Sequence, residues 1–188
     1  MKENKGFSLI ELIVIMAVMG IVITFGVIKS DVLFSYRAQE AYKKVVNTLT
    51  TEKVQVLAHS KLTKTVSVKD TFGGVNTDIQ NDGVYIEFYK YDNSIYAKTY
   101  VMGVAKEEKG NKIAGRGVTM ICKGAGLTDE ELVGGEGNGI MFSYDRSTGA
   151  FLPYKDGKYI EEIYILGGSR QYELKLMKKT GKVVRKGR

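Results

Sequence analysis

Glu11 has the strongest claim to chemistry, because it interrupts an otherwise apolar run. Phe7 to Ile28 reads FSLIELIVIMAVMGIVITFGVI, and the 17 residues between Glu11 and Lys29 carry no charge. A carboxylate at a bilayer centre costs about 2.5–3.5 kcal/mol on insertion scales, so an acid in such a run calls for a function. Near a helix start the cost is lower, since the positive end of the helix dipole favours an anion. Two roles fit the spacing. Ser8 and Glu11 form a capping-box pattern, in which each side chain satisfies the other's backbone amide. Alternatively, the carboxylate serves a function within the membrane.

The remaining reactive residues are sparse. His59 is the single histidine and Cys122 the single cysteine, so neither an internal disulfide nor a Cys/His metal set can form. His59 reads as a helix-surface residue. With no nucleophile–base pair or acid pair to point to, no catalytic residues, metal or cofactor are expected. Ten of the 22 glycines lie from Gly103 to Gly139. Neither Gly124-Ala125-Gly126 nor Gly134 to Gly139 has the Lys-Ser/Thr ending of a phosphate loop, and both are expected in mobile surface loops. Thr128-Asp129-Glu130-Glu131 fits a helix start; its acids lack the alternating spacing of a known calcium loop.

Charge is concentrated at the end of the chain. Of a net +7, Lys175 to Arg188 holds seven basic residues and no acid, while the other 174 residues balance at 21 of each sign. Lys178, Lys179, Arg185 and Lys186 are the candidate contacts for a polyanion such as DNA. The rival reading is a solvated edge kept from pairing with other chains by its own charge.

These residues need elements to hold them. As a helix, Phe7 to Ile28 spans about 33 Å, enough for a hydrocarbon core of about 30 Å. The run is too long for a secretory signal and lacks a small-x-small exit, so it reads as a retained membrane helix. Tyr42, Val45, Val46, Leu49, Lys53, Val56 and Leu57 then continue it as an amphipathic helix to about Ser60, with Arg37, Glu40, Lys43, Lys44 and Glu52 largely on other faces. Beyond residue 60 the period becomes two. Val84/Ile86/Phe88 and Ile95/Ala97/Thr99/Val101 flank the turn Asp92-Asn93-Ser94. Ile140/Phe142/Tyr144 leads into Asp145 to Gly149, and Tyr172/Leu174/Leu176 turns at Thr180-Gly181 toward Val183/Val184. Tyr85, Tyr89, Tyr91, Tyr96 and Tyr100 crowd one hairpin, where cross-strand aromatic pairs are expected. The fold class is α+β: a long N-terminal helix, half membrane-spanning and half amphipathic, packed on an antiparallel β-meander or small sandwich.

Lys5-Gly6-Phe7-Ser8-Leu9-Ile10-Glu11-Leu12 resembles the processing motif of type IV prepilins and type II secretion pseudopilins. The resemblance implies that a membrane prepilin peptidase cuts after Gly6 and that the new terminal residue, Phe7, is N-methylated. It also gives Glu11 the acidic position of the motif, and an assembly role follows. Two helices offset by about one turn, roughly 5 Å, place one chain's Glu11 beside the next chain's terminal amine, and an unpaired acid penalises any other register. The expected division is 1–6 leader, 7–28 transmembrane assembly helix, 29–60 amphipathic continuation and 61–188 exported head. From Ile140 to Arg185 the head is distantly similar to H-type minor pseudopilins. The disulfide-closed terminal loop of many major pilins is impossible with one cysteine.

The resemblance implies a structural subunit, rather than an enzyme, of a type IV pilus, competence pilus or type II secretion pseudopilus. Its partners would be the peptidase, other pilin or pseudopilin subunits and the cytoplasmic membrane, with the N-terminus inside, the head outside, and the filament as destination. The alternatives are a pilin acting as an adhesin for DNA or cell-wall polyanions and a signal-anchored membrane enzyme.

Overall fold

Ser8 opens a single long helix, α1, from Leu9 to Ala58. The computed structural model describes residues 8–58, 84–101, 104–125, 130–131, 135–137, 139–154 and 158–186, with the side chains of 25–29 and 130–131 left undescribed. No proline interrupts the 50 residues of α1, which extend about 75 Å. Its two halves behave differently. From Leu9 to Ile23 every large apolar side chain is exposed, whereas Ala38, Ala41, Val45, Leu49 and Val56 are buried. That row advances by 3.6 residues per step once Glu52 is added to it, which is the pitch of a straight helix lying on a surface. Full burial of Leu49 or Val56 contributes about 1.5–3 kcal/mol each.

The strands β1 (Val84–Tyr91) and β2 (Ser94–Val101) form the expected hairpin. Asp92 and Asn93 make its two-residue turn with φ of 45° and 52°, the left-handed pair that matches strand twist and that Asp and Asn tolerate. β3 (Val104–Ala105) and β4 (Asn111–Ala114) both pair with β2, and β7 (Ile140–Ser143) pairs with β1. The second sheet has the order β10 (Lys182–Arg185), β9 (Arg170–Met177), β8 (Glu162–Gly167), β5 (Val118–Lys123), β6 (Glu130–Glu131). All its pairings are antiparallel. The expected meander is therefore corrected: two five-stranded sheets are present, and β1–β7 and β5–β8 join strands distant in sequence. α1 lies across both, touching β1 and β4 of one and β5, β8, β9 and β10 of the other, so one apolar core serves helix and sheets together.

Two expectations for the helix face also change. Leu57 is exposed, and Glu52 is buried within the core-facing row. The helical step decides this: three residues on from Leu49 is Glu52, and four further is Val56.

The two sheets meet at a pair of turns. Tyr144 bridges to Phe151 around the turn Asp145–Gly149, and the β9–β10 turn packs against it. Gly181 has φ +57°, and a side chain there would run into the Gly149 carbonyl oxygen. Lys53 Nζ on α1 donates to the Thr180 carbonyl at 2.5 Å, and Phe151 N–H donates to the Lys178 carbonyl at 3.0 Å. Gly181→Ala is expected to lower stability by about 3 kcal/mol, combining left-handed strain with overpacking. Denaturant unfolding of the full chain in detergent, with the exposed-site control Lys179→Ala unchanged, checks it.

Candidate functional site

The N-terminal end of α1 shows the capping box. Ser8 N–H donates to Glu11 Oε2 at 2.9 Å, and Ile10 N–H donates to Ser8 Oγ at 3.2 Å. One carboxylate oxygen thus serves its own helix, and the exposed side chain still presents the other outward. Gly6 and Phe7 lie outside the described residues. From Leu9 (78 % exposed) to Ile23 (65 %) the apolar surface of the helix is bare. Among the described residues no helix is long and apolar enough to cross a membrane. The run with described side chains from Leu9 ends at Thr24, about 24 Å of helix against a core of about 30 Å.

The basic tail does not form one cluster. Lys178 and Lys179 stand at the β9–β10 turn, while Arg185 and Lys186 lie at the other end of β10, about 10 Å of strand away. Lys186 Nζ is bound to Glu173 at 2.6 Å and Glu162 at 3.3 Å. The hydrogen bonds it donates to these two carboxylates hold its ammonium above the usual lysine range, and the pairing offsets its charge. Lys178 Nζ sits 3.5 Å from the Tyr159 ring centroid, and the Arg185 guanidinium lies 6.0 Å from that of Tyr42. Lys179 is exposed. The edge is thus charged along its length, with one of its four candidates already paired.

Two buried acids escape a reading of the sequence. Glu52 is 2 % exposed, and neither carboxylate oxygen has a hydrogen-bond partner. Burial alone pushes its carboxyl well above the usual range. It borders a cavity of about 200 Å³ with Asn47, Thr99, Lys106, Glu107 and Asn111. Its neighbour Tyr144 donates to the Leu49 carbonyl at 2.9 Å; burial first, and then Glu52, raises that phenol.

Glu87 is the second, and it is fully satisfied. Tyr100 Oη donates to Oε2 at 2.9 Å, while the amides of Gly137 and Gly139 donate to Oε1 at 2.7 and 2.9 Å. Its cross-strand partner is Lys98, buried and bonded to Glu136 and to the Glu108 carbonyl. Tyr85 stacks on Tyr100 at 4.7 Å, and Tyr89 on Tyr96 at 5.7 Å. The tyrosines are therefore cross-strand pairs. In the segment expected as a surface loop, Gly135 and Glu136 are exposed, whereas the amides of Gly137 and Gly139 bind a carboxylate. Alternation in β1 places Glu87 on the outer face; nothing local reports that a distant segment covers it.

Among the described residues no group of three or more His, Cys, Asp or Glu could hold a metal ion. Thr128 and Asp129, like His59, lie outside those residues.

Residues 1–27 match the prokaryotic N-terminal methylation motif, the signature of type IV prepilins and pseudopilins. No curated protein and no solved structure matches the chain.

Proposed function

We propose that this chain is a structural subunit of a type IV pilus, competence pilus or type II secretion pseudopilus, of the minor class. Cleavage follows Gly6, Phe7 becomes the N-methylated terminus, and Phe7 to Ile28 spans the cytoplasmic membrane with the head outside until assembly. The observation that carries this reading is the methylation motif at residues 1–27. The shape of α1 supports it: the head packs on the second half and leaves Leu9 to Ile23 bare, a surface that lipid or neighbouring helices would cover. Mass spectrometry of the native N-terminus tests it. A terminal N-methyl-Phe7 is the expected result; a mature protein in the producing cell that keeps Met1 to Gly6 refutes it.

Glu11 has a separate outcome. Its bond to the Ser8 amide occupies one oxygen, so helix capping and pairing with a neighbour's amine are compatible. Glu11→Ala is expected to be inserted and processed normally, since losing a charge favours the bilayer, yet to enter filaments at least ten-fold less well. Quantitative blotting of sheared filaments against membranes measures this. Equal incorporation would leave the carboxylate only its capping role.

A further inference from the structure

The head meets α1 first at its base. The β8–β9 turn carries Arg170; at Gly168, with φ +57°, a side chain would come within 2.5 Å of the Asp31 carbonyl oxygen, and Ser169 Oγ donates to Asp31 Oδ2 at 2.9 Å. The β4–β5 turn carries Arg116; Gly117 lies against the Phe34 ring, and Arg37 Nη1 donates to the Arg116 carbonyl at 3.0 Å. Both turns are therefore fixed to the helix with their arginines exposed. Arg37 lies 5.8 Å from the Phe34 ring centroid. No carboxylate pairs with Arg37, Arg116 or Arg170 among the described residues, whereas nearby Glu40 is paired with Lys44 at 2.8 Å and Asp31 is held by Ser169. Arg37, Arg116, Lys44 and Lys112, together with Glu40 and Asp92, line a groove of about 440 Å³.

The position of this base along α1 identifies its partner. The uncharged run ends at Ile28; Asp31 lies about 4.5 Å and Phe34 about 9 Å further along the axis. A bilayer's headgroup layer extends about 5–7 Å beyond its hydrocarbon core. The Arg170 turn therefore stands within that layer and the Arg116 turn at its outer margin, within reach of a long side chain. We propose that Arg116 and Arg170 form a headgroup-binding base that seats the head on anionic phospholipid while the subunit is in the membrane. This rests on the membrane-inserted reading above. Each arginine near an anionic surface gives about a five-fold preference over a neutral one. The base thereby fixes the height and tilt of the head before assembly, and leaving the membrane requires these contacts to break.

The test uses the full chain in vesicles of phosphatidylcholine alone or with 30 mol % phosphatidylglycerol. Insertion is scored by carbonate-resistant flotation, and hydrogen exchange is followed in peptides covering 111–118 and 166–171. Exchange is expected to slow at least five-fold with phosphatidylglycerol, and the difference to vanish in Arg116→Gln/Arg170→Gln but persist in Lys178→Gln/Lys179→Gln. Inorganic phosphate at 10 mM over phosphatidylcholine is expected to have no effect; equal protection would overturn the lipid assignment in favour of a soluble anion. Insertion into both vesicles with identical exchange overturns the inference and leaves the membrane reading standing. Failure to insert into either overturns both.

Discussion

Replacing Glu52 by glutamine is expected to flatten the fall of stability as pH rises above the ordinary carboxylate value of 4.5. Glu52 stands in the core-facing row of α1, with both oxygens unpartnered, and burial raises its carboxyl well above the usual 4.5. The folded chain therefore binds a proton that the unfolded chain releases. Stability from this group is complete below the unfolded value, falls as pH rises toward the folded value, and is level above it. The slope between the two approaches about 1.4 kcal/mol per pH unit. The titratable groups around it are Tyr144, Lys106 and Glu107; of these, the cavity-lining Lys106 and Glu107 are exposed and interact weakly across water. Glu52→Leu is expected to add about 2 kcal/mol, because a buried carboxyl whose oxygens have no hydrogen-bond partner is replaced by apolar packing. Denaturant midpoints of the full chain in detergent at pH 4, 6 and 8 measure both variants. Parallel profiles for wild type and Glu52→Gln would show that the carboxylate ionises freely in the folded state.

Gly6→Ala has the largest expected biological effect. The motif match covers residues 1–27, and under the proposed function cleavage follows this glycine. With the junction blocked, residues 1–6 stay in place and Phe7 remains an amide rather than an amine. Glu11 in a neighbouring chain then has no cation to meet, and an unpaired carboxylate in an apolar bundle costs several kcal/mol. The expected result is full-length precursor in membranes and at least a hundred-fold loss from sheared filaments, read by intact-protein mass and blotting. Filaments built from uncleaved Gly6→Ala chains would dissociate assembly from processing.

The parts of the fold visible in the sequence are those fixed by local spacing. The β1–β2 turn at Asp92-Asn93 and the β9–β10 hairpin follow from neighbours in the chain, and each occurs where expected. The two-sheet arrangement depends on β1 meeting β7 and β5 meeting β8, pairings between distant segments that no short window encodes. Glu52 was legible in principle, since the helical step from Leu49 points at it; its charge argued for solvent, and the geometry of the stripe prevailed. Glu87 needed knowledge of which segment covers the outer face of β1. At the candidate site the motif around Gly6, Phe7 and Glu11 is carried by residue types alone. The basic tail shows the opposite case, because composition counted Lys186 as free charge while Glu162 and Glu173 bind it.

The ties between head and helix are spread along α1. Ser169 to Asp31 and Arg37 to Arg116 hold the base, and Tyr144 to Leu49 and Lys53 to Thr180 hold the far end, some 33 Å apart by helical rise. Tension drawn along the helix from its bare end would reach the two sheets through anchors at both extremes, with the apolar row between them loaded in shear. A pull of that kind must slide the whole interface at once instead of peeling it residue by residue, so the head should resist detachment as a unit.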